Sequence, residues 1–157
     1  MLFRSVFGAK YERNYFKASQ SIIPCKIMYS SDSVHFLMQG IRNQGNYPYQ
    51  EMSLIFTFPS ERITDYNGLI IFNKKIIDLS TDCAVKMVTE SSEKTLNVTK
   101  GELNFKRVQL LSVDGVVNRI VLSGIFELDI LGTGLFPESF SDGRFDFGIT
   151  EREFYSN

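Results

Sequence analysis

Between Arg119 and Ile130 hydrophobic and polar positions alternate almost without error. Ile120, Leu122, Phe126, Leu128 and Ile130 fall on one parity, with Gly124 the only gap, while Arg119, Ser123, Glu127 and Asp129 fall on the other beside Val121 and Ile125. A side-chain period of two predicts an extended strand with one buried and one wetter face. Its five apolar side chains bring roughly 8–15 kcal/mol of gross burial, most of it consumed by chain ordering.

The same alternation recurs along the chain. Phe3 to Phe7 reads as a first strand, followed by a polar, turn-like stretch from Gly8 to Asn14. Ser21 to Tyr29 is apolar and partly β-branched, with Pro24 restricting it to an edge or bulge. Val34, Phe36 and Met38 share one face of a strand, and Met52, Leu54, Phe56 and Phe58 share one face of another that Pro59 ends. Between residues 60 and 82 the runs Gly68–Phe72 and Lys75–Leu79 read as two short strands around Asn73-Lys74, or as one helical piece; short apolar runs do not discriminate, and local context favours strands. Cys83, Val85 and Met87 alternate next, then a turn at Ser91 to Lys94 and a strand from Thr95 to Thr99. In Glu102 to Leu111 the buried parity switches from Leu103 and Phe105 to Val108 and Leu110, which predicts a bulge or a change of sheet. Asp114-Gly115 between apolar strands predicts a hairpin pairing 102–113 with 116–130. Phe145, Phe147 and Ile149 form a last inward row, and Asp142-Gly143 before it is a second turn or glycine-bulge signal. The expected fold is all-β, an antiparallel β-sandwich or flattened barrel of about 8–10 strands. Residues 1–150 form a single domain in this reading, and the polar tail 151–157 frays or docks through Phe154 and Tyr155.

Composition agrees. The 157 residues are 43% hydrophobic and 22% charged, with 14 Phe and 7 Tyr but no Trp. Aromatic richness favours strands. Net charge is −1 with Lys and Arg scattered, so no basic face points to nucleic acid. No run of about 20 apolar residues suggests a transmembrane helix, and the first residues show no signal-peptide core. Cys25 follows Pro24 and polar residues, unlike a lipid-attachment site.

Reactive chemistry is sparse. Asp146-Phe147-Gly148 spells a kinase metal motif without its companions. Gly132-Thr133-Gly134 lacks the third glycine of a dinucleotide loop, and Ser91-Ser92-Glu93-Lys94 stands in a polar hairpin tip. Asn97-Val98-Thr99 is a glycosylation sequon of the kind that recurs by chance. His35 is the only histidine, and Cys25 and Cys83 are far apart, so neither a zinc site nor another metal or cofactor site is expected. The two cysteines read as free thiols, with a bridge worth about 4 kcal/mol as the alternative. Glu127 with Asp129, or Asp142 with Asp146, could form a carboxylate pair, yet outward charges ordinarily keep sheets soluble. Tyr47 and Tyr49, flanking Pro48, are the candidate ligand-binding residues: tyrosines on a loop tip offer rigid amphipathic contact area, unless they fold back over the domain.

Three segments occur in order: Gly101-Glu102-Leu103-Asn104-Phe105, Ser123-Gly124-Ile125-Phe126-Glu127 and Ser141-Asp142-Gly143-Arg144-Phe145-Asp146. Together with an opening FRSVFGAKYERNYFKA, in which a glycine turn separates two aromatic strands, the chain resembles a group of uncharacterised exported β-sandwich proteins of the Bacteroidetes. That resemblance implies a cell-envelope domain, held by a lipid anchor outside this sequence, without assigned activity. Asp142, Gly143 and Arg144 then read as a structural turn in which Gly143 supplies a left-handed conformation and Arg144 reaches a neighbouring carboxylate. The expected function is a non-enzymatic binding or assembly module for a glycan or protein partner. The alternative is a lipocalin-like barrel carrying a small apolar ligand.

Overall fold

The computed structural model describes residues 6–11, 14–18, 24–42, 50–59, 63, 66–132, 138–150, 152 and 154–156. It is 74% strand and 6% helical. The strands are β1 (Val6–Tyr11), β2 (Asn14–Lys17), β3 (Cys25–Tyr29), β4 (Ser33–Arg42), β5 (Gln50–Pro59), β6 (Ile76–Asp78), β7 (Ala84–Thr89), β8 (Glu93–Leu96), β9 (Val98–Val113), β10 (Val116–Ile130), β11 (Glu138–Ile149) and β12 (Phe154–Ser156). Ten of them follow one path, β6-β9-β10-β11-β1-β2-β4-β5-β7-β8, and β3 and β12 branch from β4. Every neighbouring pair is antiparallel except β3 with β12. The expected all-β antiparallel fold is present, as one curled sheet whose ten-strand path forms a half-barrel.

Curling brings β4 and β5 over β9, β10 and β11, and phenylalanine rings fill the space between. Phe36 meets Phe105 with ring centroids 5.4 Å apart, and Phe56 meets Phe126 at 5.3 Å. Phe105 meets Phe145 edge-on at 5.8 Å, and Phe145 stacks on Phe147 at 5.5 Å. Each such pair adds about 0.5–1.5 kcal/mol beyond its burial. The alternation read from the sequence is the one the core uses: Val34, Phe36, Met38, Leu54 and Phe56 are all buried, as are Ile120, Leu122, Phe126, Leu128 and Ile130. Gly124 lies in that inward row because a Cβ there would come 2.3 Å from the Asn104 carbonyl oxygen and 2.7 Å from the Phe145 ring.

The switch of parity in β9 is a bulge. Arg107 pairs with Ser123 and Phe105 with Gly124, leaving Lys106 unpaired between them. The Asp114-Gly115 hairpin is present, with φ of 51° and 80° at its two central residues, and Val113 pairs with Val116. Both positive angles fit a turn whose twist matches the strands.

Four local expectations are corrected. Gly8 stands inside β1 rather than opening a turn, since Phe7 and Ala9 are buried on the core parity and the strand runs to Tyr11. Residues 66–72 form a 3₁₀ helix instead of a strand. Only Leu69 and Phe72 of that run are buried, a spacing of three, while Ile70 and Ile71 are 42% and 51% exposed. The strand expected over Thr95–Thr99 breaks at Asn97, where β8 passes into β9. At Asp142-Gly143 the bulge of the two alternatives is the one present, within β11, where the pairing with β10 slips between Phe126 and Leu128; the correction is that the left-handed φ belongs to Asp142, at 54°, and not to Gly143. Gly143 is needed for closeness, because a Cβ there would lie 2.4 Å from the Phe126 carbonyl oxygen. The residues beyond 150 include β12, which adds a short parallel pairing along β3.

Both close approaches are testable by urea unfolding. Gly124→Ala and Gly143→Ala each lower stability by about 2–3 kcal/mol, the range for overfilling a packed interior. Gly8→Ala, whose added carbon would meet nothing nearer than 3.8 Å, leaves stability unchanged or raises it by up to about 1 kcal/mol.

Candidate functional site

A cleft of about 790 Å³ opens at one mouth of the half-barrel, bounded by the β3–β4 turn, the end of β5, β6 and the start of β7. Its floor is apolar, through Phe58, Ile77 and Ala84, and its rim carries Asp32, Lys75 and Asp82. One side is the outer edge of β6. In the β6–β9 pairing, the Phe105 N–H bonds the Lys75 carbonyl at 2.9 Å and the Leu79 N–H bonds the Gly101 carbonyl at 3.0 Å. The Lys75 N–H goes instead to the Phe72 carbonyl at 3.0 Å, and Ile76, one residue out of phase with the bonds to β9, turns its N–H and C=O away from β9, toward the cleft it lines. The Asp78 carbonyl is taken by the Asp82 N–H at 2.9 Å. The Asp78 side chain accepts from both the Ser80 hydroxyl, at 2.6 Å, and the Ser80 N–H, at 2.8 Å. These bonds hold its carboxyl below the usual range. The result is a closed Asx turn at the start of the β6–β7 connection.

Another wall includes Ser33 and Thr57, which belong to a chain of hydroxyls around the only histidine. Ser30 donates to Asp32 at 2.9 Å and meets the Ser33 hydroxyl at 2.8 Å. Ser33 Oγ lies 3.3 Å from His35 Nε2, and Thr57 Oγ1 lies 2.7 Å from His35 Nδ1. Strand alternation produces the set, because Ser33 and His35 share the outward parity of β4 and Thr57 stands opposite His35 on β5. Both ring nitrogens thus lie within hydrogen-bond reach of hydroxyls, from Ser33 and Thr57. The cluster SSDSVH is readable in the sequence as a group of Ser, Asp and His; that it borders a cleft required the partner strand.

Cys83 stands on the cleft wall as a free thiol, and Cys25 is buried. Burial pushes the Cys83 thiol up to about 12 from 9.0, the Asp82 charge adds to this, and the Thr57 main chain opposes it. Its Sγ points at the Ala84 carbonyl, 3.4 Å away.

The other sequence candidates are dispersed. Tyr47 and Tyr49 lie outside the described residues. Glu127 and Asp129 face outward from β10 and border a groove of about 440 Å³ with Asp78 and Glu102. Both are exposed, whereas an acid–base pair needs one carboxyl held in a desolvating pocket. Asp142 and Asp146 are separated by the bulge and also face solvent. Arg144 is exposed and, among the described residues, forms no ion pair; the pair present is Lys86–Glu93 at 2.8 Å. Among the described residues no group of three His, Cys, Asp or Glu is placed to hold a metal ion, and no helix is long and apolar enough to cross a membrane.

The raised Cys83 thiol has two consequences. At pH 8 iodoacetamide alkylates Cys83 at least about tenfold more slowly in the native chain than in urea, as read by peptide mass spectrometry. Because folding raises this group's proton affinity, its contribution to stability is intact below pH 9 and is lost as pH climbs from 9 toward 12. No family model matches the chain, and no curated protein or solved structure matches it either.

Proposed function

We propose that this chain is a non-enzymatic binding module of the cell envelope whose cleft takes an extended peptide segment of a protein partner. The observation that carries this reading is the outer edge of β6, where Ile76 offers a main-chain donor and acceptor beside an apolar-floored cleft of about 790 Å³. An unpaired strand edge is a ready template for another strand, and recognition by strand addition combines such main-chain bonds with pockets for alternate side chains. Phe58 and Ala84 supply an apolar floor for a side chain, and Asp32, Asp82 and Lys75 supply rim charges that set polarity.

The non-enzymatic part of the proposal is supported by the His35 environment and by the exposed carboxylates of β10. The envelope location rests on the resemblance of residues 101–105, 123–127 and 141–146. An apolar-ligand carrier has less support, since its cavity would have to occupy an interior where Phe36 and Phe72 stand 5.5 Å apart and Phe36 and Phe105 stand 5.4 Å apart. A glycan reading would lean on Tyr47 and Tyr49.

Selection of a phage-displayed random peptide library on the intact chain tests the proposal. Peptides with alternating apolar residues are expected. Ile76→Pro removes the outward N–H and leaves the bonds to β9 in place, so binding weakens at least about tenfold while thermal stability stays close to wild type. Selected peptides that bind Ile76→Pro unchanged would count against strand addition.

A further inference from the structure

A second concavity, of about 560 Å³, lies between the end of the 3₁₀ helix and the bulged part of β9. It shares no described lining residue with the β6 cleft: Lys75 lines the cleft and Lys74 lines this site. Three exposed cations border it, Lys74, Lys106 and Arg107. Among the described residues no carboxylate lines it, and none of the three cations forms an ion pair. The carboxylate in the cross-strand row of Arg107 is Asp146, reached through Ser123 and so two strands away, about 10 Å.

Two backbone irregularities gather these charges. At the β9 bulge the consecutive residues Lys106 and Arg107 both stand exposed, where regular alternation would turn one of them inward. Lys74 follows the 3₁₀ helix with a left-handed φ of 61°, a conformation for which glycine is the default. The Asn73 side chain accepts from the Val108 N–H at 2.9 Å and ties the end of the helix to the strand just past the bulge. Beside the cations, Ile70 and Ile71 are exposed on the turn that Leu69 and Phe72 anchor in the core. Ile70 lines the concavity, and Ile71 stands outside it.

We infer that this is a docking site for an anionic phospholipid surface: Lys74, Lys106 and Arg107 hold lipid phosphates, and Ile70 and Ile71 enter the acyl boundary beside them. The net charge of the chain is −1, so attraction to an anionic surface must come from a local cluster and not from the molecule as a whole. A free phosphate would use the cations alone. An acidic peptide lying in the concavity would reach Ile70 but leave Ile71 in water. A bilayer engages both isoleucines and the cations together, because apolar side chains need to enter only about 5–10 Å past the headgroups. Each cation at such a surface strengthens partitioning about fivefold, an effect that salt screens. Three cations and two isoleucines therefore give a weak, reversible attachment, and it does not depend on peptide binding at β6.

Flotation of the intact chain with phosphatidylcholine vesicles, with and without phosphatidylglycerol, tests the inference, beside titrations with inorganic phosphate and with polyglutamate. Binding is expected to the vesicles that contain phosphatidylglycerol and to be weaker at high salt. Arg107→Glu lowers it at least about tenfold. Lys74→Gly lowers it about fivefold while thermal stability is unchanged or raised, because glycine suits the left-handed conformation, so this variant reads the site even if a charge reversal misfolds. Ile71→Ser, at an exposed position, lowers it at least about threefold. Lys94→Glu on β8 stays within about twofold of wild type. Absent binding, equal binding to phosphatidylcholine alone, wild-type binding by Lys74→Gly and Ile71→Ser, or a loss in Lys94→Glu matching that in Arg107→Glu each overturn it. Phosphate or polyglutamate binding without vesicle binding assigns the site to a free anion or an acidic peptide and overturns it as well.

Discussion

The fold depends on how closely the backbones of β9, β10 and β11 approach the aromatic rings they enclose. β10 is the pivot, bonded along most of its length to β9 on one side and β11 on the other. Gly124 leaves the space that the Phe145 ring enters, and Gly143 lets β11 lie against Phe126. With those two positions filled by hydrogen atoms alone, Phe145 reaches Phe105 and stacks on Phe147, and Phe126 reaches across to Phe56. A curled sheet has no helix layer to cover its inner face, so its own large side chains must meet in the middle. The 14 phenylalanines are the volume that does this.

Bulges then decide what faces water. At Lys106 the extra residue of β9 moves Val108 into the core and turns Arg107 outward, and at Ser141–Asp142 the slip in β11 keeps Phe140 and Phe145 both inside. Each bulge adds local twist, which is the means by which a sheet of this many strands curls instead of spreading flat. The outward placement of Lys106 and Arg107 is thus a consequence of the same irregularity that repairs the hydrophobic parity. Core packing and surface charge are coupled through one unpaired residue.

Edges follow from the curl as well. The path begins at β6, three residues long, and ends at β8, four residues long. Short terminal strands are a usual way of limiting unwanted pairing. At β8 the exposed Glu93, Lys94 and Thr95 add polar cover, with Lys86 and Glu93 paired at 2.8 Å. β6 lacks such a cover at Ile76, and the mouth of the half-barrel opens beside it. A cleft, an uncommitted donor and acceptor, and an apolar floor coincide there because the 3₁₀ segment at 66–72 and the Asx turn at Asp78–Ser80 route the chain around the opening.

Periodicity alone determined the all-β class, the inward residues of β4, β5, β7 and β10, the Asp114-Gly115 hairpin and the parity break in β9, because those depend on side-chain alternation and turn chemistry within a few residues. The run Gly68–Phe72 was ambiguous for the same reason: five mostly apolar residues fit either period until Phe36 and Phe58 take up the Phe72 ring, which leaves Leu69, three residues earlier, as the other buried side chain of the run. Gly143 read as a turn glycine, while its need for a bare α-carbon comes from Phe126, distant in sequence. The Ser33–His35–Thr57 set, the free edge of Ile76 and the facing carboxylates Asp78, Glu102 and Glu127 could be recognised only after strand register was known. Register is a relation between strands, settled by which rings fit together in the interior, and no single strand's pattern contains it.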